Sequence, residues 1–283
     1  MMRIAFLLLA VLFAASFPAN AAERPSLVIL TNSFVLSGKL DRLAEWGREA
    51  GVPVRAVNVD RMSGTPAEWL AGAGLAILDT PRPNDLAQVQ DRLGNALAVA
   101  GVPWVRVGGG RPAFEGLPPD RARLLIGYYG AGGEANLRNM LAAVAAWHRG
   151  ADAAHVPPPV ALPKTGFHHP AAPQPFAAVT DYLAWGWDRW PEGAPRVAFA
   201  INPGALSNMQ TAVVDALIAG AEARGLVPLA FWFDAADPEG IQAVLGDAGP
   251  VALVNLQHMQ NGPARSAEFL SLDIPVLQAL GYR

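Results

Sequence analysis

The chain has 283 residues, 52% of them hydrophobic and 16% charged, with a formal net charge of −3. That apolar excess excludes intrinsic disorder, and the slightly acidic balance leaves no basic footprint for nucleic acid. There is no cysteine, so disulfides, zinc–thiolate sites, iron–sulfur clusters and cysteine nucleophiles are excluded as well.

Residues 1–21 read as a secretory signal. Arg3 supplies the charged region, Ile4 to Ala14 the apolar region, and Ala19-Asn20-Ala21 a small-x-small cleavage site. An uncleaved N-terminal anchor is the alternative, although the apolar run falls short of the roughly 20 residues of a membrane span. The expected location is periplasmic or secreted, and no later apolar stretch has spanning length.

From Ser26 short apolar runs alternate with helical patterns. Strands are expected at Ser26–Thr31, Val54–Asn58, Leu75–Leu78 and Val102–Val107. Helices are expected at Ser37–Ala50, with Ser37 as N-cap, then near Pro66–Ala71 and over Asn84–Ala100. The same alternation returns with strands at Val197–Ile201, Val227–Phe233, Val251–Asn255 and Pro275–Gln278. Its helices fall at Ser207–Arg224 and Glu239–Leu245. Strands separated by helices mean parallel βαβ units. The fold class is α/β: two similar open parallel sheets, flavodoxin- or Rossmann-like, joined by a helix and a Pro-rich connector. The expected boundaries are 1–21 for the signal, 22–125 for the first unit, 126–195 for helix and connector, and 196–283 for the second unit.

The halves also share residues. Asn32, Leu36 and Ser37 recur as Asn202, Leu206 and Ser207, Gly51 and Asp60 as Gly225 and Asp234, and Pro103 as Pro275. Duplication accounts for this, and the common punctuation of α/β units is the alternative. Each Asn-to-Ser stretch leaves the carboxyl end of a first strand, where open α/β sheets gather ligands. Asn32, Ser33, Ser37, Asn202, Ser207 and Asn208 are therefore candidate substrate-binding residues, or else they only cap helices.

Between the units, Gly127-Tyr128-Tyr129-Gly130-Ala131-Gly132-Gly133 precedes a helix over Glu134–Arg149, whose stripe is Leu137, Leu141, Val144 and Trp147. The two tyrosines are expected to pack or hydrogen-bond at the entrance of that helix. The connector from Ala151 to Pro195 is stiffened by Pro157-Pro158-Pro159, Pro163, Pro170, Pro173 and Pro175. It carries His168-His169 and a helical stretch, Pro175–Trp187, with Tyr182, Trp185 and Trp187. Paired histidines beside aromatics suggest contact with a metal or a tetrapyrrole, and a packed loop with a hydrogen-bonded histidine is the plainer reading. The chain has no Walker A loop, no dinucleotide fingerprint, no H-E-x-x-H and no nucleophile elbow, so it holds no self-contained catalytic machine.

The stretch Gly130-Ala131-Gly132-Gly133-Glu134-Ala135-Asn136-Leu137-Arg138-Asn139-Met140-Leu141 resembles the G-G-x-x-N-x-x-N-[LM]-L signature of cobaltochelatase large subunits (the CobN type) and the H subunit of magnesium chelatase. Pro157 to Pro170 looks like that family's P-x-x-x-P-x-x-G-x-Y-H-P segment, with His169-Pro170 matching its His-Pro. Leu226-Val227-Pro228 and Asp273-Ile274-Pro275-Val276-Leu277-Gln278 are similar to two further family stretches.

The resemblance implies ATP-dependent insertion of a divalent metal, cobalt or magnesium, into a corrinoid or porphyrin. The large subunit binds the macrocycle, and separate subunits, including an AAA+ motor, hydrolyse ATP, so no cofactor-binding motif is expected here. It carries over His169 alone, as a substrate-binding or metal-ligating residue. Family members are several times longer, so the expectation is an N-terminal portion, inactive by itself. An export signal is at odds with ATP-driven insertion and shifts the expectation toward metal removal. A non-catalytic periplasmic protein closing two units on a small ligand is the competing reading, and a module that only docks partner subunits is a third.

Overall fold

The computed structural model describes residues 26–259 and 261–279, so the expected signal lies outside the described residues. The first sheet contains β1 (Ser26–Thr31), β2 (Val54–Asn58), β3 (Ala73–Asp79), β4 (Trp104–Val107) and β5 (Ala113–Glu115), in the order β2-β1-β3-β4-β5. All pairings are parallel except β4 with β5. The interior strand β1 shows why an unbroken apolar run was needed. Leu27 and Ile29 pack into one core and Val28 and Leu30 into the other, all fully buried, so polar alternation has no place there.

One face is covered by α1 (Ser37–Ala50), α5 (Pro119–Ala131) and α6 (Gly133–His148). The other is covered by α2 (Pro66–Leu70), α3 (Pro83–Leu93) and α4 (Ala96–Ala100). The single helix expected over Asn84–Ala100 is in fact two, broken at Gly94, whose φ of 53° no helix accepts. Ser37 is the first residue of α1 and not its cap, a position that Leu36 occupies without a side-chain hydrogen bond. Tyr128 and Tyr129 lie inside α5 and not at a helix entrance. Glycines concealed that helix from sequence reading, and its burial against the sheet outweighs their weak propensity.

The second sheet has β6 (Gly166–His168), β7 (Arg196–Ala200), β8 (Val227–Trp232), β9 (Ala252–Asn255) and β10 (Val276–Gln278), in the order β10-β9-β7-β8-β6. Here β7, β8, β9 and β10 repeat the order of β1, β2, β3 and β4, and β6 from the connector adds an antiparallel edge beside β8. Between β7 and β8 stand α8 (Gly204–Ser207) and α9 (Ala212–Glu222), where one helix over Ser207–Arg224 was expected. The break holds Met209 at φ 57° and turns it onto the first unit's core. On the far face α7 (Val179–Trp185), α10 (Gly240–Leu245) and α11 (Gly262–Ser271) pack, α11 being absent from the sequence reading. Glu268 of α11, buried and ion-paired with Arg265, accepts the backbone N–H groups of Ile241 and Gln242 at 2.7 and 3.1 Å, capping α10.

The Pro-rich connector fastens the units. Tyr128 Oη donates to the Pro157 carbonyl at 2.6 Å, and Trp232 Nε1 of β8 to the Pro163 carbonyl at 2.8 Å. Asn136 on α6 pairs with the Val160 peptide in both directions, its Nδ2 donating at 2.8 Å and its Oδ1 accepting at 2.9 Å. Gly132, between α5 and α6 at φ 65°, lies so close to the Ser207 carbonyl that a methyl group there would collide with it. Stiff extended prolines thus span from the helices of one unit to the sheet of the other.

Candidate functional site

At the carboxyl end of β1, Asn32 is buried and fully bonded. Its Oδ1 accepts from Phe34 N at 3.1 Å, and its Nδ2 donates to Asp85 Oδ1 at 2.9 Å and Gln88 Oε1 at 2.7 Å. Gln88 donates in turn to Asp60, which accepts the Ser33 N–H at 2.8 Å. The Arg82 guanidinium, bonded to both oxygens of Asp85, holds that carboxyl below the usual range. Asn32 therefore ties the β1 loop to α3. Ser37 is exposed and takes no part in this network.

Behind this loop sits a charged cluster the sequence reading missed. Lys39 Nζ lies 3.1 Å from Asp79 Oδ2, with both side chains buried, and Tyr129 Oη donates to the same oxygen at 2.7 Å. The ammonium also stands over the Tyr129 ring, 3.9 Å from its centre. Burial pushes the phenol well above its ordinary value, with the Asp79 charge adding to it. The signal available in sequence was Lys39 on the otherwise apolar face of α1, four residues before Leu43.

The matching loop of the second unit behaves in part alike. Asn202 Oδ1 accepts the Gly204 N–H at 2.7 Å, the same turn that Asn32 makes with Phe34, but Asn202 is exposed. Ser207 ends α8, and Asn208 is its C-cap. Ser207, Pro203 and Gly204 line an open groove of about 490 Å³ between the units. Its other walls are Ile126, Gly127, Gly130 and Ala131 of α5 and Ala161 to Lys164 of the connector. That volume lies within the range of small-molecule sites. Glycines, alanines and prolines make up most of its lining, Ile126 and Leu162 add apolar bulk, and Lys164, 2.9 Å from Asp234 Oδ2, gives it a cation. Of the six candidate residues, Ser207 alone lines the groove.

His169 is buried in an aromatic cluster, its ring centre 4.8 Å from that of Trp185 and 6.2 Å from that of Trp190. Its Nδ1 accepts the Ala171 N–H at 3.1 Å, so Nε2 carries the proton and donates to Glu222 Oε1 at 3.2 Å. Burial lowers its pKa, which the Glu222 carboxylate only partly offsets. Glu222 also accepts from Trp190 Nε1 at 2.8 Å. Both nitrogens of the imidazole are thus engaged within the protein. His168 points to the opposite face of β6, where its Nε2 meets Asp215 Oδ1 at 2.8 Å. Thr211 donates to the other Asp215 oxygen at 2.7 Å. Among the described residues, no three His, Cys, Asp or Glu side chains converge as a metal site.

A family profile described as CobN/Magnesium Chelatase matches residues 126–283, more than half of the chain. The chain belongs to the CobN/magnesium chelatase family. The family segment begins at the groove wall, with Ile126 of α5. Among solved structures, the catalytic subunit of cobaltochelatase from Mycobacterium tuberculosis is similar, with a TM-score of 0.57 and 21% identity. The match covers 90% of this chain and 21% of that one, so the chain spans about a fifth of that subunit's length. The likeness shows a shared fold. An ABC domain in complex with L-Trp from Streptococcus pneumonia is 12% identical over 90% of this chain and 72% of its own, at a TM-score of 0.24. A sugar ABC transporter from Yersinia enterocolitica is 11% identical over 89% and 64%, at 0.21. Neither score bears on the fold. Comparison with curated protein sequences gives no match.

Family membership gives the signature a physical reading. Gly132 accommodates the Ser207 carbonyl, Asn136 clamps the Val160 peptide, and Met140 and Leu141 fill the core. Gly132 and Asn136 thus join the first unit to the second unit and the connector. A metal enters this family's chemistry as substrate.

Proposed function

We propose that this CobN-family chain binds a tetrapyrrole in the groove between its two α/β units, as the macrocycle-binding part of a metal chelatase. One observation carries the reading. The two segments that resemble the chelatase motifs, Gly130 to Leu141 and Pro157 to Pro170, meet at the groove, where Gly130 and Ala131 face Pro163 and Lys164. The glycines and alanines of its wall, with Ile126 and Leu162 beside them, suit a flat apolar ligand, whose faces need close approach more than directional contacts. Lys164, exposed and ion-paired with Asp234, is placed to exchange that partner for a carboxylate on the macrocycle rim. Cobalt or magnesium is then the metal substrate, and ATP hydrolysis belongs to separate subunits.

The N-terminal signal reading extends the proposal to a location outside the cytoplasm. ATP is absent there, and metal removal becomes the favoured direction. A signal-dependent reporter fusion tests the location independently of binding.

Titration of the purified chain with metal-free protoporphyrin and with a corrinoid acid, followed in the Soret region, tests the binding. Saturable spectral shifts are expected. Ala161→Trp fills the groove from an exposed connector position and should abolish the shift while leaving the circular dichroism spectrum intact. Absence of any shift with every macrocycle would falsify the proposal. Equal binding by Ala161→Trp would move the site elsewhere.

A further inference from the structure

A second cavity, of about 230 Å³, opens at the amino end of the second sheet, where β7 starts at Arg196 and β8 at Val227. The groove between the units lies beyond the opposite end of β7, at Pro203 and Gly204, so the two sites are separate. Leu183, Trp190 and Val227 give the cavity its apolar lining. Trp190 is held in place: a Cβ at Gly186 would collide with its ring, and its Nε1 donates to Glu222 at 2.8 Å. Trp187, 74% exposed and in contact with no other ring among the described residues, stands beside it. Two opposite charges share this lining. Arg196 is half-buried and bonded through Nη1 to the Ala248 carbonyl, but no carboxylate meets its guanidinium among the described residues. The Glu192 carboxylate is exposed and has neither a cation nor a hydrogen-bond donor there. The two charges thus face one cavity without closing on each other.

We propose that this cavity binds a small zwitterion, a free α-amino acid with an apolar side chain. A partly desolvated guanidinium without a counter-charge favours an anion, and a carboxylate fits the donors that Arg196 has left. A simple anion would add negative charge beside Glu192. A ligand that carries its ammonium one carbon from its carboxylate gives each protein charge an opposite partner, and Arg196 and Glu192 are bridged through it. The volume sets the size: it falls below the roughly 300–1,000 Å³ of drug-sized sites, which suits one amino acid and excludes a macrocycle. The lining selects the side chain. Leu183, Trp190 and Val227 reward buried hydrocarbon and offer a polar side chain no partner, since the Trp190 N–H is already spent on Glu222.

The inference stands apart from the macrocycle reading, because the site, the ligand and the probes all differ. Isothermal titration calorimetry of the full chain with L-leucine and L-phenylalanine tests it, with tryptophan fluorescence as the second readout through Trp187 and Trp190. Two analogues of leucine each lack one charge: 4-methylpentanoate has no ammonium, and leucinamide has no carboxylate. Saturable binding is expected for at least one of the two amino acids. With leucine, each analogue should bind at least about tenfold more weakly, the loss of one charge-assisted contact. Glu192→Gln changes an exposed side chain that holds nothing in the fold, so it should fold as wild type. It should weaken the amino acids by about tenfold or more without weakening 4-methylpentanoate. Arg196→Gln should do the converse, weakening the amino acids and sparing leucinamide. No saturable binding of either amino acid overturns the inference. So does 4-methylpentanoate bound as tightly as leucine, which would make this a plain anion site, or leucinamide bound as tightly, which would make it a site for peptide amino termini. Unchanged leucine affinity in Glu192→Gln overturns it as well.

Discussion

Lys39, Asp79 and Tyr129 form a buried polar cluster in a place that hydrocarbon could fill. Removing one member of a buried ion pair is costly because the other charge stays behind in a poorly solvating site. Lys39→Met keeps the aliphatic stem and deletes the ammonium, leaving Asp79 with Tyr129 as its side-chain donor. The expected loss is about 3–5 kcal/mol in urea unfolding. The companion Lys39→Met/Asp79→Leu should recover most of it, since apolar replacement of a whole pair is often neutral. His169 gives the residue-scale pH dependence. Its folded pKa lies below the unfolded value of about 6.5, so on acidification the unfolded chain takes up the proton first. Stability is therefore complete above that value and falls as pH drops through it toward the folded pKa. Burial pushes the Glu222 carboxyl up, but bonds from Trp190 and His169 carry it below its usual range, which adds a further loss at lower pH. Denaturation midpoints between pH 8 and pH 5 should decline for wild type and be flatter for His169→Asn. His148, lowered by burial, supplies the slope that remains.

At the scale of elements, legibility followed the source of each element's stability. β1, β2 and α1 were readable to the residue because an uninterrupted apolar run or a 3.6-residue stripe is local information. α5 was not, because Gly127 and Gly130 argue against a helix that the sheet beneath it stabilises. β6 was hidden in a proline-rich stretch, since its pairing with β8 links Phe167 to Phe231, far along the chain. The candidate site shows the same division. The Asn32 and Asn202 turns and the paired histidines were visible as residue types. That both rings are held by carboxylates depends on Glu222 and Asp215, from a helix some fifty residues away. Asn136 is the element-scale case with a clear consequence. Asn136→Ala deletes both bonds to the Val160 peptide and should cost about 1–3 kcal/mol. Amide exchange at Val160 and its connector neighbours should quicken, with the strands of both sheets staying protected.

For the whole molecule, two units that share the order of four parallel strands need not unfold together, since each has cores on both faces of its own sheet. The coupling lies in a few contacts: the strap bonded to Tyr128, Asn136 and Trp232, the Met209 side chain on the first core, and the approach of Gly132 to Ser207. Gly132 carries two demands at once, because its φ of 65° disfavours any side chain and its neighbour leaves no room for one. Gly132→Ala must therefore strain the α5–α6 junction or push α8 away, and pushing α8 away lifts Met209 out of its seat. The wild-type chain should melt in a single cooperative transition, seen alike by tryptophan fluorescence and far-ultraviolet circular dichroism. Gly132→Ala should lose at least about 2 kcal/mol and split into two transitions, as the units come apart before either unfolds. Coincident, merely shifted transitions in the variant would mean that the strap alone couples the units. In that case the Asn136→Ala chain should be the one that splits.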